Sequence, residues 1–260
     1  MKLVIVGPGR AGGALALAAN AVGHDISGLV ARSPLKWDLP FVMVDGTWPS
    51  CDLVVIATRD SDIPQAAVLV ESNLPAGAVV HMSGATSIKT LDQLAGQGWE
   101  VGSFHPLQTF PDPIACAEAL AGSWVAVTAT GALRHRLASF ADDLGMTDFD
   151  LADDAKPAYH AGASAASNFL IAGLVLADRL LTVAGVPLAA AGPLSAEALD
   201  NAFANGPLRA LTGPIARGDW ETVRAQLLAA REAGVERPFR LMVEATALAA
   251  GLELPEGFRA

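Results

Sequence analysis

The fold class of this chain is decided by residues 3–19, which read LVIVGPGRAGGALALAA. Four apolar residues typical of a buried strand precede a G-x-G-x-x-G pattern, and an Ala- and Leu-rich run typical of a helix follows it. Glycines at this spacing let the backbone turn sharply and approach a pyrophosphate, whose charge would lie at the helix N-terminus. A second predicted strand follows within about 30 residues of the first. This order predicts a dinucleotide-binding Rossmann unit, in which the phosphates contact Gly7, Pro8, Gly9, Arg10, Ala11 and Gly12.

The residue after the second predicted strand distinguishes NAD from NADP. Chains that bind NAD commonly place an Asp or Glu about 20 residues beyond the glycines, where it pairs with the ribose 2′-hydroxyl. This chain has Arg32 there, followed by Ser33. A guanidinium pairs bidentately with a phosphate, and no carboxylate is present to repel it. The sequence therefore predicts NADP(H) as the cofactor, with a solvated loop residue as the alternative explanation of Arg32.

The chain divides into two parts of different secondary structure. In the first part, short apolar and β-branched runs alternate with helical or turn-rich pieces, which is the pattern of a mostly parallel sheet covered by helices. From about residue 152 onward the strand pattern ends, and Ala- and Leu-rich segments separated by Gly-Pro pairs indicate helices alone. We predict a doubly wound α/β Rossmann domain over residues 1–151 and an all-α domain for substrate binding and dimerisation over residues 152–260. The first helix is predicted over Ala11–Ala21, and the strands over Leu3–Val6, Ile26–Ala31, Phe41–Val44, Leu53–Ala57, Ala78–His81, Glu100–Phe104, Ser123–Thr128 and Thr147–Asp150.

Composition and charge restrict the class of partner. A net charge of −10 without any cluster of Lys and Arg argues against binding to nucleic acid or to an anionic membrane surface. The first residues are strand-like and resemble no secretory leader, so we expect a cytoplasmic protein. Only Cys51 and Cys116 are present, which we interpret as reduced packing residues, and no His or Cys spacing indicates a metal site.

The most apolar segment, residues 161–177, approaches the roughly 20 residues that a membrane span requires. It contains Ser164, Ser167 and Asn168, and Asp178 and Arg179 follow it directly. It also lacks aromatic belts and an asymmetry of flanking basic residues. We therefore expect no membrane insertion, and interpret the segment as the central helix of a soluble bundle.

Polar groups follow three of the predicted strands. In an open parallel sheet, ligands bind outside the carboxyl ends of the strands, and the fourth, fifth and sixth strands lead into TRDSD from residue 58, MSGA from residue 82 and HPLQTF from residue 105. The first segment predicts cofactor contacts from Thr58 and Arg59. Each group also has a simpler explanation as turn or loop chemistry, but their convergence at one edge predicts a pocket. The predicted substrate contacts are Ser83, Gly84, His105, Gln108 and Thr109.

Four motifs in this chain resemble a bacterial branch of Rossmann-like oxidoreductases whose C-terminal domain has no known function. The motifs are VHMSGA from residue 80, FHPLQTF from residue 104, YHAGASAASNFL from residue 159 and LTGPIARGD from residue 211. The branch lies in the superfamily of β-hydroxyacid dehydrogenases, ketopantoate reductases and pyrroline-5-carboxylate reductases, and the resemblance covers nearly the whole chain. It implies hydride transfer between NADP(H) and a small polar carbonyl compound, hydroxy acid or imine. The alternative, from another class, is a catalytically silent NADP(H)-binding sensor.

The resemblance also implies a role for the polar positions of the apolar segment. In dehydrogenases of this superfamily, the first long helix of the C-terminal domain presents a catalytic Lys, and an Asn one turn later, to the substrate carbonyl. Here the helix offers His160, Ser164 and Asn168 at intervals of four, with Ser167 beside them, and at about 100° per residue they share one side. His160 is the predicted proton donor with Asn168 and Ser164 in support, and His105 is the alternative donor. The simpler explanation is that the serines bond to the helix backbone and that Asn168 makes a buried contact.

Two basic residues near this helical part need separate interpretation. Lys156 lies one turn before His160, but Pro157 follows it, so we expect Lys156 to precede the helix, which argues against a Lys-based mechanism. Arg217 lies in a Gly-Pro loop and is a candidate anchor for a substrate carboxylate, with an ordinary turn as the alternative. Asp219 is predicted to cap a helix that begins at Trp220.

The Ala-rich helical part predicts a homodimer. Predicted helices over residues 169–181 and 223–233 carry more apolar surface than a domain of this size can readily bury. Related enzymes commonly pair through this domain, so the resemblance favours the same interpretation.

Overall fold

The computed structural model describes residues 1–259, which form two compact units, one of residues 1–164 and one from residue 165 onward. Within the described residues of the first unit, eight strands form one sheet: β1 Lys2–Val6, β2 Asp25–Ala31, β3 Phe41–Met43, β4 Leu53–Ile56, β5 Ala78–His81, β6 Glu100–Pro106, β7 Trp124–Thr128 and β8 Thr147–Asp150. Their order across the sheet is β3-β2-β1-β4-β5-β6-β7-β8, and neighbours are parallel except β6 and β7, which are antiparallel. The predicted mostly parallel Rossmann sheet is therefore confirmed, with all eight strands at the predicted places.

Helices cover both faces of the sheet. They are α1 Arg10–Ala21, α2 Ile63–Asn73, α3 Asp92–Gly96, α4 Pro113–Ala119, α5 Gly131–Asp143 and α6 Lys156–Ser164. Because side chains alternate along a strand, Leu3 and Ile5 of β1 pack with α1 and α5, whereas Val4 and Val6 pack with α2 and α3 on the other face. We call the edge at which the six parallel strands β1 to β6 end the carboxyl edge. Both the glycine loop and the predicted pocket residues follow strands that end there.

Trp37 holds the connection between β2 and β3 against α1. Its indole lies directly on the Cα of Gly13, where a Cβ would come within 2.7 Å of Cζ2 and 2.9 Å of Cζ3. Leu35, Trp37 and Leu39 all pack against the apolar cluster on that face. The contact fixes the segment that begins with Arg32.

Gly13→Ala is expected to lower the unfolding free energy by about 1–3 kcal/mol, because the added methyl overpacks a closed contact and displaces Trp37. Urea denaturation of the variant and the wild type measures the change. Gly96→Ala in α3 is the matched control, since a Cβ there meets no heavy atom of the described chain within 4 Å. Equal stability of Gly13→Ala and wild type would show that the loop accommodates the methyl.

The described residues of the second unit form helices joined by turns, without any strand, as predicted. It begins with a π-helical turn, Ala165–Phe169, and continues with α7 Leu170–Val183, α8 Gly192–Asn205, α9 Pro207–Ala210, α10 Trp220–Glu232 and α11 Glu236–Ala249. Its small core contains Val223, Leu227, Val243 and Phe258, mostly from α10 and α11. Single π turns inside helices often occur at functional sites.

The apolar surface of α7 and α8 is exposed in the single chain. Neither helix contains a buried residue, and Phe203 is 88% exposed. The prediction of a buried central helix is therefore wrong for one chain, because the core of this unit is supplied by α10 and α11. By length and composition alone, the helical stretch Asp153–Val183 is long and apolar enough to cross a membrane. Other exposed large apolar residues here are Phe169, Ile171, Val175, Val183 and Leu194.

The first compact unit extends beyond the predicted domain boundary at residue 151. Helix α6 groups with the sheet and not with the later helices. The reason is local: its first residue, Lys156, is buried and bonded to β6.

Candidate functional site

Each glycine of the loop after β1 meets a different steric requirement. Gly7 has φ +78°, and a Cβ there would lie 2.6 Å from Cγ2 of Thr58. Gly12 packs α1 against the sheet, since its Cβ would lie 2.6 Å from Cβ of Ala57. Gly9 is different, because the nearest described heavy atom to a Cβ there is the Gly7 carbonyl oxygen at 3.9 Å. The space over Gly9 is open, as a loop that receives a pyrophosphate requires.

The N-terminus of α1 is suited to an anion. The cap residue is Gly9, which has no side chain to cap the helix, and the first turn contains no acidic residue. The first backbone N–H groups and the helix dipole therefore point towards the open space. Beside the loop, the buried Oγ1 of Thr58 has no hydrogen-bond partner among residues 1–259. These features fit a bound dinucleotide phosphate.

The other predicted cofactor residues follow the neighbouring strands. Arg32 and Ser33 come directly after β2, and Arg59 follows β4; all three are exposed. Because β2, β1 and β4 are adjacent and parallel, these residues lie at the carboxyl edge with the glycine loop. Arg10 is exposed at the first position of α1, while Pro8 is buried.

Lys156 is the first residue of α6 and lies on the sheet, so the expectation that it precedes the helix is wrong. Pro157 is accommodated in the first turn, where its missing N–H has no helical partner in any case. The ammonium of Lys156 is 1% exposed and donates to Oγ of Ser103 on β6 at 2.7 Å. Burial lowers the pKa of Lys156, against the effect of Asp153 and Asp60.

Tyr159 lies one turn after Lys156 and contacts His105, which follows Ser103 on the same face of β6. Its hydroxyl is 2.8 Å from Nδ1 of His105, and the two rings meet edge to face with centroids 5.4 Å apart. The ring of His160 lies 6.3 Å from that of His105. Helix α6 thus runs alongside β6 towards the carboxyl edge, with residues three apart on the helix matching residues two apart on the strand.

His81 lies on the same face of the sheet, in the neighbouring strand. It pairs in register with Ser103 and is 0% exposed. Its Nδ1 accepts from the backbone N–H of Ser83 at 3.2 Å, while its buried Nε2 has no hydrogen-bond partner among residues 1–259. A polar atom buried in this way indicates that a ligand or water belongs at this edge.

Burial keeps the two histidines of this group neutral. It lowers the pKa of His81 to about 4, and the charge of Lys156 adds to this effect while Asp60 and Asp153 oppose it. The pKa of His105 is also lowered to about 4, first by burial and then by His160 and Lys156, with Asp60 opposing. Burial raises the pKa of the Tyr159 phenol to about 12.

Asp153 ties the start of α6 to the loop after β5. Its carboxylate accepts from Oγ of Ser87 at 2.5 Å and from the backbone N–H of Ile88 at 2.9 Å. These hydrogen bonds, with burial opposing them, lower the pKa of Asp153. An open cavity of about 450 Å³ lies beside this link and is lined by Ala85, Ser87, Lys89, Asp153, Asp154 and Pro157.

Several predicted substrate residues serve the local backbone. The Ser83 hydroxyl accepts from the N–H groups of Ala85 and Thr86 and is mostly buried, so it stabilises the turn. Gln108 accepts from Thr109 N–H and donates to the Ala119 carbonyl at 3.3 Å. Gly84 has a direct link to the site, because a Cβ there would lie 2.7 Å from the His105 ring.

The structure places only some of the polar residues predicted to share one side of a helix on the same helix. His160 is exposed on α6, and Ser164 is half-buried at its end. Asn168 is exposed in the π turn of the second unit, where the rotation of 100° per residue assumed for these residues does not apply. Its alignment with His160 therefore stays a prediction, as does the role of Arg217, which is exposed in a turn. The cap is confirmed: Asp219 accepts from Thr222 N–H at 3.2 Å at the start of α10.

The sequence analysis missed or misplaced several residues of the candidate site that lie on β5, on β6, or on and just before α6. Alternation along β6 places Ser103 and His105 on one face, a signal that was available in the sequence. Tyr159 was also recognisable as the single tyrosine of the chain. The residues missed or misplaced are His81, Ser103, Asp153, Lys156 and Tyr159. Among the described residues, no group of three or more His, Cys, Asp or Glu side chains is placed to hold a metal ion.

Comparison with known proteins places this geometry in a structural context. Residues 123–246 match the family described as Domain of unknown function (DUF2520), and no curated protein sequence matches the chain. A protein from Bacteroides fragilis, assigned provisionally to the NADP oxidoreductases, is 21% identical with a TM-score of 0.82, covering 95% of this chain and 98% of its own. The chain shares the fold of that protein. The part that matches the DUF2520 family includes β7, α5 and β8 as well as later helices.

Two reductases of known activity share this fold at lower identity. Pyrroline carboxylate reductase of Plasmodium falciparum, solved with NADP bound, is 10% identical with a TM-score of 0.62 and covers 96% of this chain and 98% of its own. An imine reductase from Myxococcus stipitatus, solved with NADP⁺, is 15% identical with a TM-score of 0.67 and covers 96% and 93%. At these identities the likeness concerns the fold.

Proposed function

We propose that this protein is an NADP(H)-dependent oxidoreductase that transfers hydride to or from a small polar carbonyl compound, hydroxy acid or imine. One observation carries the proposal: the open glycine loop follows β1, and His81 and His105 lie near the ends of β5 and β6 at the same edge of the sheet. Lys156 and Tyr159 of α6 bond to β6 there, at Ser103 and His105. A dinucleotide loop alone would fit many functions. Titratable side chains buried beside it are the feature expected of a site that also handles protons.

The chain's own residues would hold the cofactor and manage the proton. The glycine loop and the start of α1 would bind the pyrophosphate, and Arg32 with Ser33 would contact the 2′-phosphate of NADP(H). The bound nicotinamide supplies or accepts the hydride. His105 is the favoured proton-handling residue because it is half-buried and hydrogen-bonded to Tyr159, and His160 is the alternative because it lies exposed beside that ring. The roles predicted for Asn168 and Arg217 remain proposals.

Arg32→Asp is expected to weaken NADPH binding by roughly 10- to 100-fold, because the variant loses a charge-assisted pair worth about 1.5–3 kcal/mol and adds a repelling carboxylate. NADH affinity should change little, so the preference for NADPH over NADH should narrow or reverse. Isothermal titration with both nucleotides measures this. Arg237→Asp, at an exposed position of α11, is the charge-matched control. Equal NADPH affinity in Arg32→Asp and wild type would remove Arg32 from the cofactor site.

Turnover distinguishes the enzyme from the silent sensor. NADPH oxidation is followed at 340 nm with a panel of 2-keto acids, ketopantoate, semialdehydes and cyclic imines. Oxidation that depends on one of these compounds supports the reductase. Tight NADPH binding without turnover on the whole panel favours the sensor, for which the same glycine loop would suffice.

The exposed helices support a homodimer as part of the proposal. The apolar side chains of α7 and α8 are unburied in one chain, and a contiguous apolar surface of this kind usually marks an interface. Light scattering at micromolar concentration is expected to give twice the monomer mass of 26.7 kDa. A monomeric mass would contradict the homodimer, and co-sedimentation with neutral lipid vesicles would favour a membrane partner for this surface.

A further inference from the structure

The hydroxyl of Tyr159 forms a hydrogen bond with His105. A phenol whose pKa is about 12 keeps its proton at neutral pH, and His105, with a pKa of about 4, is neutral there. The charged or titratable groups that act on His105 are His160 and Lys156 from α6 and Asp60 after β4, and the net effect with burial is to exclude a second proton. Two neutral groups could share this bond in either direction, but the 2.8 Å contact to Nδ1 is the one hydrogen bond that the Tyr159 hydroxyl makes with residues 1–259. We infer that the phenol donates, because its proton has no other acceptor among these residues.

This direction fixes the tautomer of His105. A neutral imidazole carries one proton, and if Nδ1 accepts from Tyr159 that proton lies on Nε2. His105 then presents a hydrogen-bond donor and not an acceptor. A neutral histidine used as a donor to a carbonyl oxygen is a known catalytic arrangement in other folds.

The two rings are also held in place. Gly84 lies against the imidazole so closely that a Cβ would come within 2.7 Å of both Cε1 and Nε2. The Tyr159 ring is flanked by Phe149 of β8, with centroids 6.0 Å apart, as well as by His105. The orientation of both rings is therefore fixed by packing.

We propose that Tyr159 is a positioning residue whose hydroxyl holds His105 with its proton on Nε2, so that the site receives a carbonyl oxygen and not a protonated imine. The inference rests on the proposed function and names its substrate class. A protonated imine has no lone pair to accept from Nε2–H. The ammonium of Lys156, bonded to Ser103 two residues before His105, also opposes a second positive charge.

The Tyr159–His105 pair supplies the proton that the substrate oxygen needs. Hydride arriving at a carbonyl carbon moves the C=O π electrons to the oxygen. The oxygen bonds to the Nε2 proton as Nε2 releases it, while Nδ1 takes the proton of the Tyr159 hydroxyl. This leaves Tyr159 as a phenolate and His105 with its proton on Nδ1. Nδ1 then returns that proton to Tyr159 as Nε2 takes one proton from solvent water, which restores the starting pair. The transfer is favourable because a phenol is a stronger acid than an aliphatic alcohol.

Nuclear magnetic resonance of ¹⁵N-histidine-labelled protein tests the tautomer without any substrate. His105→Gln identifies the His105 signals among the five histidines, and His135→Gln, at an exposed position of α5, is the matched control. We expect wild-type His105 to remain neutral with its proton on Nε2 from about pH 5 to 8. In Tyr159→Phe, which keeps the ring, the Nδ1 signal should shift and the two tautomers should mix. A wild-type proton on Nδ1, or no change in Tyr159→Phe, overturns the positioning role.

A matched pair of probes tests the substrate class. With NADPH, 2-methylcyclopentanone should be reduced faster than 2-methyl-1-pyrroline, and Tyr159→Phe should lower kcat for the ketone by at least about tenfold without changing NADPH affinity. Faster reduction of the pyrroline, or NADPH binding with neither probe reduced, overturns the assignment to carbonyl compounds. Loss of NADPH binding altogether would instead contradict the proposed function, and the tautomer result would stand by itself.

Discussion

Gly9→Ala is expected to weaken NADPH binding by at least about 100-fold, or roughly 2.7 kcal/mol, while leaving the unfolding free energy nearly unchanged. The reason is that the three loop glycines differ in how much space each leaves for a Cβ. A Cβ on Gly9 meets no described heavy atom within 3.9 Å, so the folded chain tolerates it. The same methyl would occupy the space through which a pyrophosphate approaches the backbone.

Titration calorimetry with NADPH and urea denaturation of the same samples measure both quantities. Gly7→Ala provides the contrast, because its backbone has φ +78° and its Cβ would meet Thr58; both stability and binding should fall there. Wild-type affinity in a correctly folded Gly9→Ala would show that the dinucleotide phosphates do not bind at this loop. Lost stability in Gly9→Ala would mean that the open space is part of the packing.

Acid is expected to destabilise the protein well above the range in which carboxylates titrate. The folded pKa of His81 is about 4 and that of His105 is also about 4, below the ordinary value of 6.5. As pH falls below 6.5 the unfolded chain binds these protons first, so the stability present above pH 6.5 is lost progressively towards pH 4. For His81, which is fully buried, the loss is about 2 kcal/mol at pH 5.

Urea denaturation at pH 7.5 and pH 5.0 checks this expectation. His81→Leu should reduce the difference between the two pH values, because it removes one of the groups responsible. His24, whose pKa burial also lowers, contributes in the same direction and remains in both proteins. His135→Gln, at an exposed site, should leave the difference as in wild type. A wild type equally stable at both pH values would mean that His81 is protonated in the folded protein.

The sheet was predictable because its strands are short apolar runs between clear turn residues. Parallel strands buried on both faces must be apolar throughout, as in β4 with Leu53, Val54, Val55 and Ile56. The glycine loop was equally predictable, because each of its glycines meets a steric requirement of the strand–turn–helix unit. His105 was predicted at the site because it follows from the strand-end rule alone.

The rest of the site depends on contacts between distant segments, and the sequence of a single segment does not reveal them. That Ser103 stands beside His81 is a matter of register between two strands, and that Lys156 reaches Ser103 depends on where α6 crosses β6. Pro157 misled the sequence analysis because a proline ends a helix in its interior but is accepted in its first turn. The prediction for α7 failed for a different reason: an apolar sequence favours burial, but it does not show that the contact is made within the same chain.

The path of α6 along β6 has a consequence for protein engineering. Lys156 and Tyr159 form their bonds with Ser103 and His105, which precede the DUF2520 match that begins at residue 123. A chimaera that joins a foreign sheet to this chain at residue 123 would therefore separate each donor from its acceptor and leave a buried ammonium without a partner. A junction after residue 164 keeps both bonds within the recipient and makes the helical unit the module to exchange.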